Sequence, residues 1–446
     1  MKKISRKIVI ILMMISLVGC SLPTAPSNLI KPPAEDEANM ELKRIVDDFL
    51  PPEARLTIPK GKGEDNRAIL LDDVTGDGRE EIIAFFKTSD FGLGFIILAA
   101  DDKGWQELSL VEEYGEEIDL VELTDITGDK KPELLVGFTS GSSLDNRLFM
   151  YSFSADGLKE LATLPYSTFT LGDINGDKLV EIVVSKNERI NDIPTTLVEI
   201  YKYGNGCLDL FHTSKFEGYP GELLVGQANR DTVGLFVEVY LGAHSAASYL
   251  LAYLEGELIP VLTEEYEDIS YDFKPYPLPA QDANGDGIIE IGVHHAPPGS
   301  DGLAMVEIPW LENWYQWDGK NGLKWVSEVY ADYGYGYKWE VPESWRGNYT
   351  LTRENSEESS LVEFYDLTKH QHKLFTFWCM ETDLWENEKD RLELEDRTYA
   401  VLAENQLLDK VYVAILPEPK TCRCFLPMSV NLDEIKQGFA LLTNYF

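Results

Sequence analysis

Basic side chains are scarce in this chain. Its 446 residues hold 39 Lys and Arg against 77 Asp and Glu, a formal net charge of −38 at pH 7. A chain of that sign does not gather nucleic-acid phosphates or anionic lipid head groups, so binding driven by positive charge is excluded. Cysteine and histidine are sparse too, at five and six residues. Cys422-Arg-Cys424 lacks the second ligand pair of a zinc site. Three signatures of catalysis are missing: the Gly-x-Ser-x-Gly elbow, the phosphate-binding loop and His-Glu-x-x-His. The apolar run at residues 8–18 is too short to span a bilayer comfortably. Disorder is excluded for most of the chain, because 44% of it is hydrophobic and 11% aromatic.

Acidic residues are abundant and some are placed with regularity. Four stretches repeat one pattern: Asp73-Val-Thr-Gly-Asp-Gly-Arg-Glu-Glu81, Asp125-Ile-Thr-Gly-Asp-Lys-Lys-Pro-Glu133, Asp173-Ile-Asn-Gly-Asp-Lys-Leu-Val-Glu181 and Asp282-Ala-Asn-Gly-Asp-Gly-Ile-Ile-Glu290. Each has Asp at position 1, Thr or Asn at 3, Gly at 4, Asp at 5 and Glu at 9, then an apolar β-type run. A worn copy lies at Gln227-Ala-Asn-Arg-Asp231. Steps between the five are 52, 48, 54 and 55 residues. A period near fifty with one strand-flanked loop per unit means a repeat architecture.

The residue types point to a hard cation. Calcium takes six to eight oxygen ligands, and three carboxylates in one tight loop repel each other without an ion. The expected ligands are Asp73, Thr75, Asp77, Glu81 and the Arg79 carbonyl; Asp125, Thr127, Asp129 and Glu133; Asp173, Asn175, Asp177 and Glu181; and Asp282, Asn284, Asp286, Glu290 and the Ile288 carbonyl. The competing reading is a set of Asx-type turns. Position 6 must turn left-handed; it is Gly78 and Gly287 in two loops, but Lys130 and Lys178 in the others, where the backbone costs about 1–2 kcal/mol and an ammonium can partly replace the ion. The Asp282 loop therefore ranks first, then Asp73, Asp173 and Asp125, and the Gln227 copy is expected to be metal-free. EF-hand and dockerin loops are excluded, because they need an acid at position 12 and a following helix. Position 12 is Ala84, Val136, Val184 and Val293.

The loops resemble the Asp-x-Asn-Gly-Asp-Gly-x-x-Asp calcium loops of FG-GAP/VCBS repeats, with Glu in place of the last Asp. The resemblance covers residues 55–335 and implies an integrin-like β-propeller. Four strand-like stretches per unit fit that expectation. Five blades are favoured and six or seven stay open.

The N-terminus carries Lys2, Lys3, Arg6 and Lys7 before its apolar run, the layout of a secretory signal. Leu17-Val-Gly-Cys20 resembles a bacterial lipobox. That implies a signal at residues 1–19 and lipidation of Cys20, anchoring the chain on the extracytoplasmic face of the cell membrane. Loss of the four basic residues takes the charge to −42. Residues 20–54 then form a tether with a short helix near 41–50.

Residues 333–336 read as a hinge, and 336–446 as a small α+β domain. It ends in an amphipathic helix capped by Asn431, with Leu432, Ile435, Phe439, Leu442 and Phe446 on one face. A disulfide from Cys379 to Cys422 or Cys424 is expected, with Cys207 a core thiol. His294-His295 reads as an exposed loop beside Pro297 and Pro298, and Lys369-His-Gln-His372 as a surface strand. The functional expectation is a calcium-binding scaffold, monomeric, that holds a protein or glycan and no nucleic acid. The alternative is a polysaccharide-acting enzyme with its site in the propeller funnel.

Overall fold

The structure is a computed structural model that describes residues 37–61, 67–89, 92–141, 146–154, 157–262, 269–320, 322–367, 372–418, 428 and 430–442. Cys20, Cys422, Cys424, Phe446 and most of the 369–372 motif lie outside the described residues, as does the signal expected at 1–19. Two compact units separate. One runs to Ile118 and includes residues 157–158; the other holds the rest.

The fold is mainly β, in antiparallel sheets. In the first unit, helix α1 (Glu37–Asp47) precedes β1 (Arg55–Leu56), β2 (Ile69–Asp72), β3 (Glu81–Lys87), β4 (Gly92–Asp101) and β5 (Gly104–Tyr114). β1 and β2 share one edge of β3, and β4 and β5 follow in order on the other. The helix lays Leu42, Ile45 and Val46 on Ile82, Phe86, Ile96 and Leu98. Then come β6 (Glu117–Thr124), β7 (Glu133–Thr139), β8 (Asn146–Ser154) and β9 (Gly157–Tyr166) in the second sheet. The third holds β10 (Thr168–Gly172), β11 (Glu181–Ile190), β12 (Ile193–Gly204) and β13 (Cys207–Glu217). The fourth holds β14 (Tyr219–Gln227), β15 (Val233–Tyr240), β16 (Ala246–Leu254) and β17 (Glu257–Pro260). Each of these three is a meander in sequence order.

The fifth sheet begins with β18 (Ile291–His295), β19 (Leu311–Trp317), β20 (Leu323–Asp332) and β21 (Tyr337–Glu340). The sixth comprises β22 (Tyr349–Asn355), β23 (Ser359–Asp366), β24 (Lys373–Glu381), β25 (Tyr399–Asn405) and β26 (Lys410–Ile415), with α2 (Thr382–Leu394) between β24 and β25. Last come α3 (Leu432–Gly438) and β27 (Phe439–Leu441), which returns to pair with β21.

Burial explains the strand sequences. β3, β7 and β15 are almost wholly buried and read as apolar runs, interrupted in β15 by Glu238. β5 and β13 are outermost in their sheets and alternate with exposed residues. Successive sheets of the second unit share cores. Leu135 and Met150 meet Ile182 and Val184; Val183 and Val198 meet Leu235 and Val237; Phe236 and Leu250 meet Val293 and Tyr315. Tyr330 and Trp339 of the fifth sheet meet Phe364, Phe375 and Phe377 of the sixth.

A buried ion pair ties β15 to the segment that bridges to Ala246 at Lys274. Lys274 and Glu238 are 0% and 3% exposed, and Nζ stands 2.5 Å from Oε2. The ammonium also donates to Ser248 Oγ at 2.8 Å and to the Leu278 carbonyl at 2.6 Å, so its three hydrogens are used.

Several expectations need correction. Residues 333–336 are a turn joining β20 to β21 inside one sheet, since Asp332 pairs with Tyr337. The last helix stops at Gly438. A Cβ there would lie 2.9 Å from the Glu340 carbonyl oxygen, so glycine permits the approach that lets Phe439 pair with Trp339. Its capping box, with Asn431 and Glu434 answering each other, is present. His294 and His295 end β18, opposite Glu312 and Leu311. The prolines close that strand after the pair, because proline offers no N–H to a partner. Burial pushes the His294 imidazole down to about 4, helped by Lys274 and His295. Cys207 is exposed at the start of β13, and Cys379 is buried. Among the described residues, no helix is long and apolar enough to cross a membrane.

Candidate metal centre

Each acidic loop joins two successive antiparallel β segments of its sheet. The residue before position 1 pairs with the glutamate at position 9: Asp72 with Glu81, Gly172 with Glu181, Gln281 with Glu290. The Asp at position 1 folds the turn. In the last loop Asp282 Oδ1 accepts from Gly285 N at 2.7 Å and Asp286 N at 3.1 Å, and Oδ2 accepts from Gly287 N at 2.8 Å. Asp73, Asp125 and Asp173 do the same work in their loops. Position 6 is left-handed as its role requires, with φ of 87° and 84° at Gly78 and Gly287 and 71° and 73° at Lys130 and Lys178.

The position-9 glutamates are buried: Glu81, Glu133, Glu181 and Glu290 are at most 2% exposed. Each carboxylate reaches back to the loop and accepts backbone N–H groups, from Thr75, from Ile126 and Thr127, from Ile174, and from Ala283. Burial nevertheless raises all four above the usual range, and Glu181 is pushed up to about 7. Four buried carboxyls, each with two acidic neighbours in its own loop, are short of positive charge.

The loops differ in how they meet that shortage. In the first, Arg79 turns its guanidinium onto Asp77 at 2.7 Å and holds that carboxyl below its usual range. In the third, Lys202 reaches across from β12 to Asp177; burial alone would raise this carboxyl, but the ammonium brings it down. In the last, among the described residues no Lys or Arg forms an ion pair with Asp286, and Arg230 acts on it only through its charge. Its Oδ2 accepts from the Asn284 and Gln316 amides at 3.1 and 2.9 Å, and Gln316 also donates to Glu290 Oε1 at 2.7 Å. Here the acidic oxygens converge. Ligand atoms of Asp282, Asp286 and Glu290 lie within 4.8 Å of one another, the one such group among the described residues. All are hard oxygen donors, which suits a magnesium- or calcium-like cation.

The fifth copy differs in register. Gly226 pairs with Gly234, so this loop is one residue shorter and a glycine stands where the others have glutamate. Ala228 and Asn229 donate to the Thr232 carbonyl instead. Sequence reasoning located the loop residues but missed Lys202 and Gln316, which lie far from them in the chain.

No family model and no curated protein sequence matches this chain. Among solved structures it is similar to Sqt1 of Saccharomyces cerevisiae at 9% identity, over 72% of this chain and 85% of that one, with a TM-score of 0.34. A likeness of that size carries no argument about fold or function.

Proposed function

We propose that the chain is a calcium-stabilised β-propeller lipoprotein, tethered through Cys20 outside a bacterial membrane, that holds a protein or glycan ligand. The observation that carries the calcium reading is the convergence of Asp282, Asp286 and Glu290. Asn284 and the Ile288 carbonyl would complete the loop's oxygen set, and a divalent ion there would offset the burial of Glu290. Of the other three loops, those at Asp73 and Asp125 are proposed calcium sites of lower rank, with Arg79 competing for the first, and in the Asp173 loop Lys202 stands where the ion would. Support for blades comes from five segments that each contain a loop-joined strand pair, and from the cores that successive sheets of the second unit share. Structural calcium then fixes hairpins, and the ligand is met by loops. The tether rests on the signal and lipobox pattern of the sequence.

Calcium should raise the melting temperature of the full chain, and magnesium at equal concentration should do much less. Extracellular sites bind at about 10⁻⁴–10⁻³ M. A hundredfold excess over the dissociation constant adds about 2.7 kcal/mol. Asp282→Ala should remove most of that gain. A melt that is the same in calcium and in chelator would end the calcium reading. Cys20→Ser should move the protein from the membrane fraction to the soluble fraction of expressing cells. Continued membrane association of that variant would reject the lipid tether.

A further inference from the structure

We propose that the side chain facing the loop glutamate from the strand after the one the loop opens decides which cation the loop holds. Gln316 gives the Asp282 loop an additional oxygen ligand for a divalent ion, and Lys202 fills the Asp173 loop with the chain's own ammonium. The proposal rests on the reading of the Asp282 loop as a calcium site.

The two residues occupy one position of the repeat. On the third sheet Ile182 pairs with Tyr201, and on the fifth Ile291 pairs with Tyr315. One step along each ladder sets Glu181 against Lys202 and Glu290 against Gln316. Their contacts match as well. Lys202 bonds the Asp177 carboxylate, and its charge is felt by Glu181. Gln316 bonds Asp286 and Glu290, at 2.9 and 2.7 Å. So a cation already stands in the third loop where the amide stands in the last. This ammonium marks the place as one that positive charge occupies, and it is independent of the acidic cluster at Asp282.

The chemistry of the amide completes the argument. An amide group offers N–H on one side and a carbonyl oxygen on the other. With carboxylates alone the N–H groups face the loop. Half a turn of the amide brings Oε1 to the same place, and the residue changes from donor to metal ligand. Asp282, Asn284, Asp286, Ile288, Glu290 and Gln316 would then supply an oxygen each, enough for the lower end of calcium's six to eight. Lysine has no oxygen to turn; it is a compact point charge with three donors. The same register puts Ala99 and Ser152 in the first and second sheets, and Ala252 opposite Gly234 in the fourth. These side chains are too short to span the gap, and the first loop uses Arg79 instead.

Equilibrium dialysis of the full chain against radioactive calcium at about 1 mM free ion tests the assignment. Gln316→Lys should bind one ion fewer than the wild type, and Lys202→Gln one more. Gln316→Ala should keep the site with at least tenfold weaker affinity. Melting in chelator checks folding, and there Gln316→Lys should match or exceed the wild type. A wild type that holds no calcium would sink the underlying reading. A wild type that holds calcium while Gln316→Lys and Gln316→Ala keep its count and affinity would overturn the role of Gln316 alone. An unchanged count in folded Lys202→Gln would overturn the role of Lys202.

Discussion

Lys274→Met should lower the unfolding free energy by about 3–5 kcal/mol, the usual cost of removing one partner from a buried ion pair. The cost comes from what is left behind. Glu238 would stay buried at 3% exposure, with Ser248 Oγ and Leu278 N as its donors among the described residues, at 3.3 and 3.0 Å. Burial already works against the ammonium, holding its pKa below the ordinary lysine value although Glu238 pulls it up. The pair is therefore not a large net source of stability, and a double change to Lys274→Met with Glu238→Leu should recover most of the loss. Urea unfolding midpoints at constant slope give these numbers. A single variant within 1 kcal/mol of wild type would mean that water reaches Glu238.

Little of this pair was legible beforehand. Lys274 lies between Phe273 and Pro275 in a stretch that reads as loop, and Glu238 is the one charged residue in an apolar strand. The pairing of Ala246 with Lys274, far apart in the chain, brings them together. The acidic loops were legible because their chemistry is local: nine consecutive residues fix the turn, the carboxylates and the following strand. Strands were legible for a related reason, since burial on both faces demands unbroken apolar runs. What the sequence concealed depends on register. Lys202 lies 25 residues beyond Asp177, and no spacing rule sets it against Glu181. The C-terminal end misled through periodicity, because Ile435 and Phe439 fit a helical face although Phe439 belongs to a strand. Helix α2 hid in an acid-rich segment whose buried residues, Trp385 and Leu392, make a thin apolar stripe.

The other large effect is a pH dependence located at one carboxyl. Glu181 is fully buried, and its pKa is pushed up from 4.5 to about 7. In the unfolded chain the group ionises near the lower value. Between the two, the folded state keeps a proton that the unfolded state has lost, so stability falls as pH rises through this window. Each pKa unit is worth about 1.4 kcal/mol, which makes the total penalty at pH 8 about 3 kcal/mol. Glu181→Gln cannot ionise, yet its amide oxygen can still accept from Ile174 N. In chelator, this variant should therefore be the more stable protein at pH 8, by about 3 kcal/mol, and should lose that advantage near pH 5. In the Lys202→Gln background the advantage at pH 8 should grow, because the ammonium that favours ionised Glu181 is gone. Paired urea unfolding curves at pH 5, 6.5 and 8 decide the matter. A difference that stays flat across that range would mean that Glu181 is ionised at little cost, and that the loop already holds enough positive charge of its own.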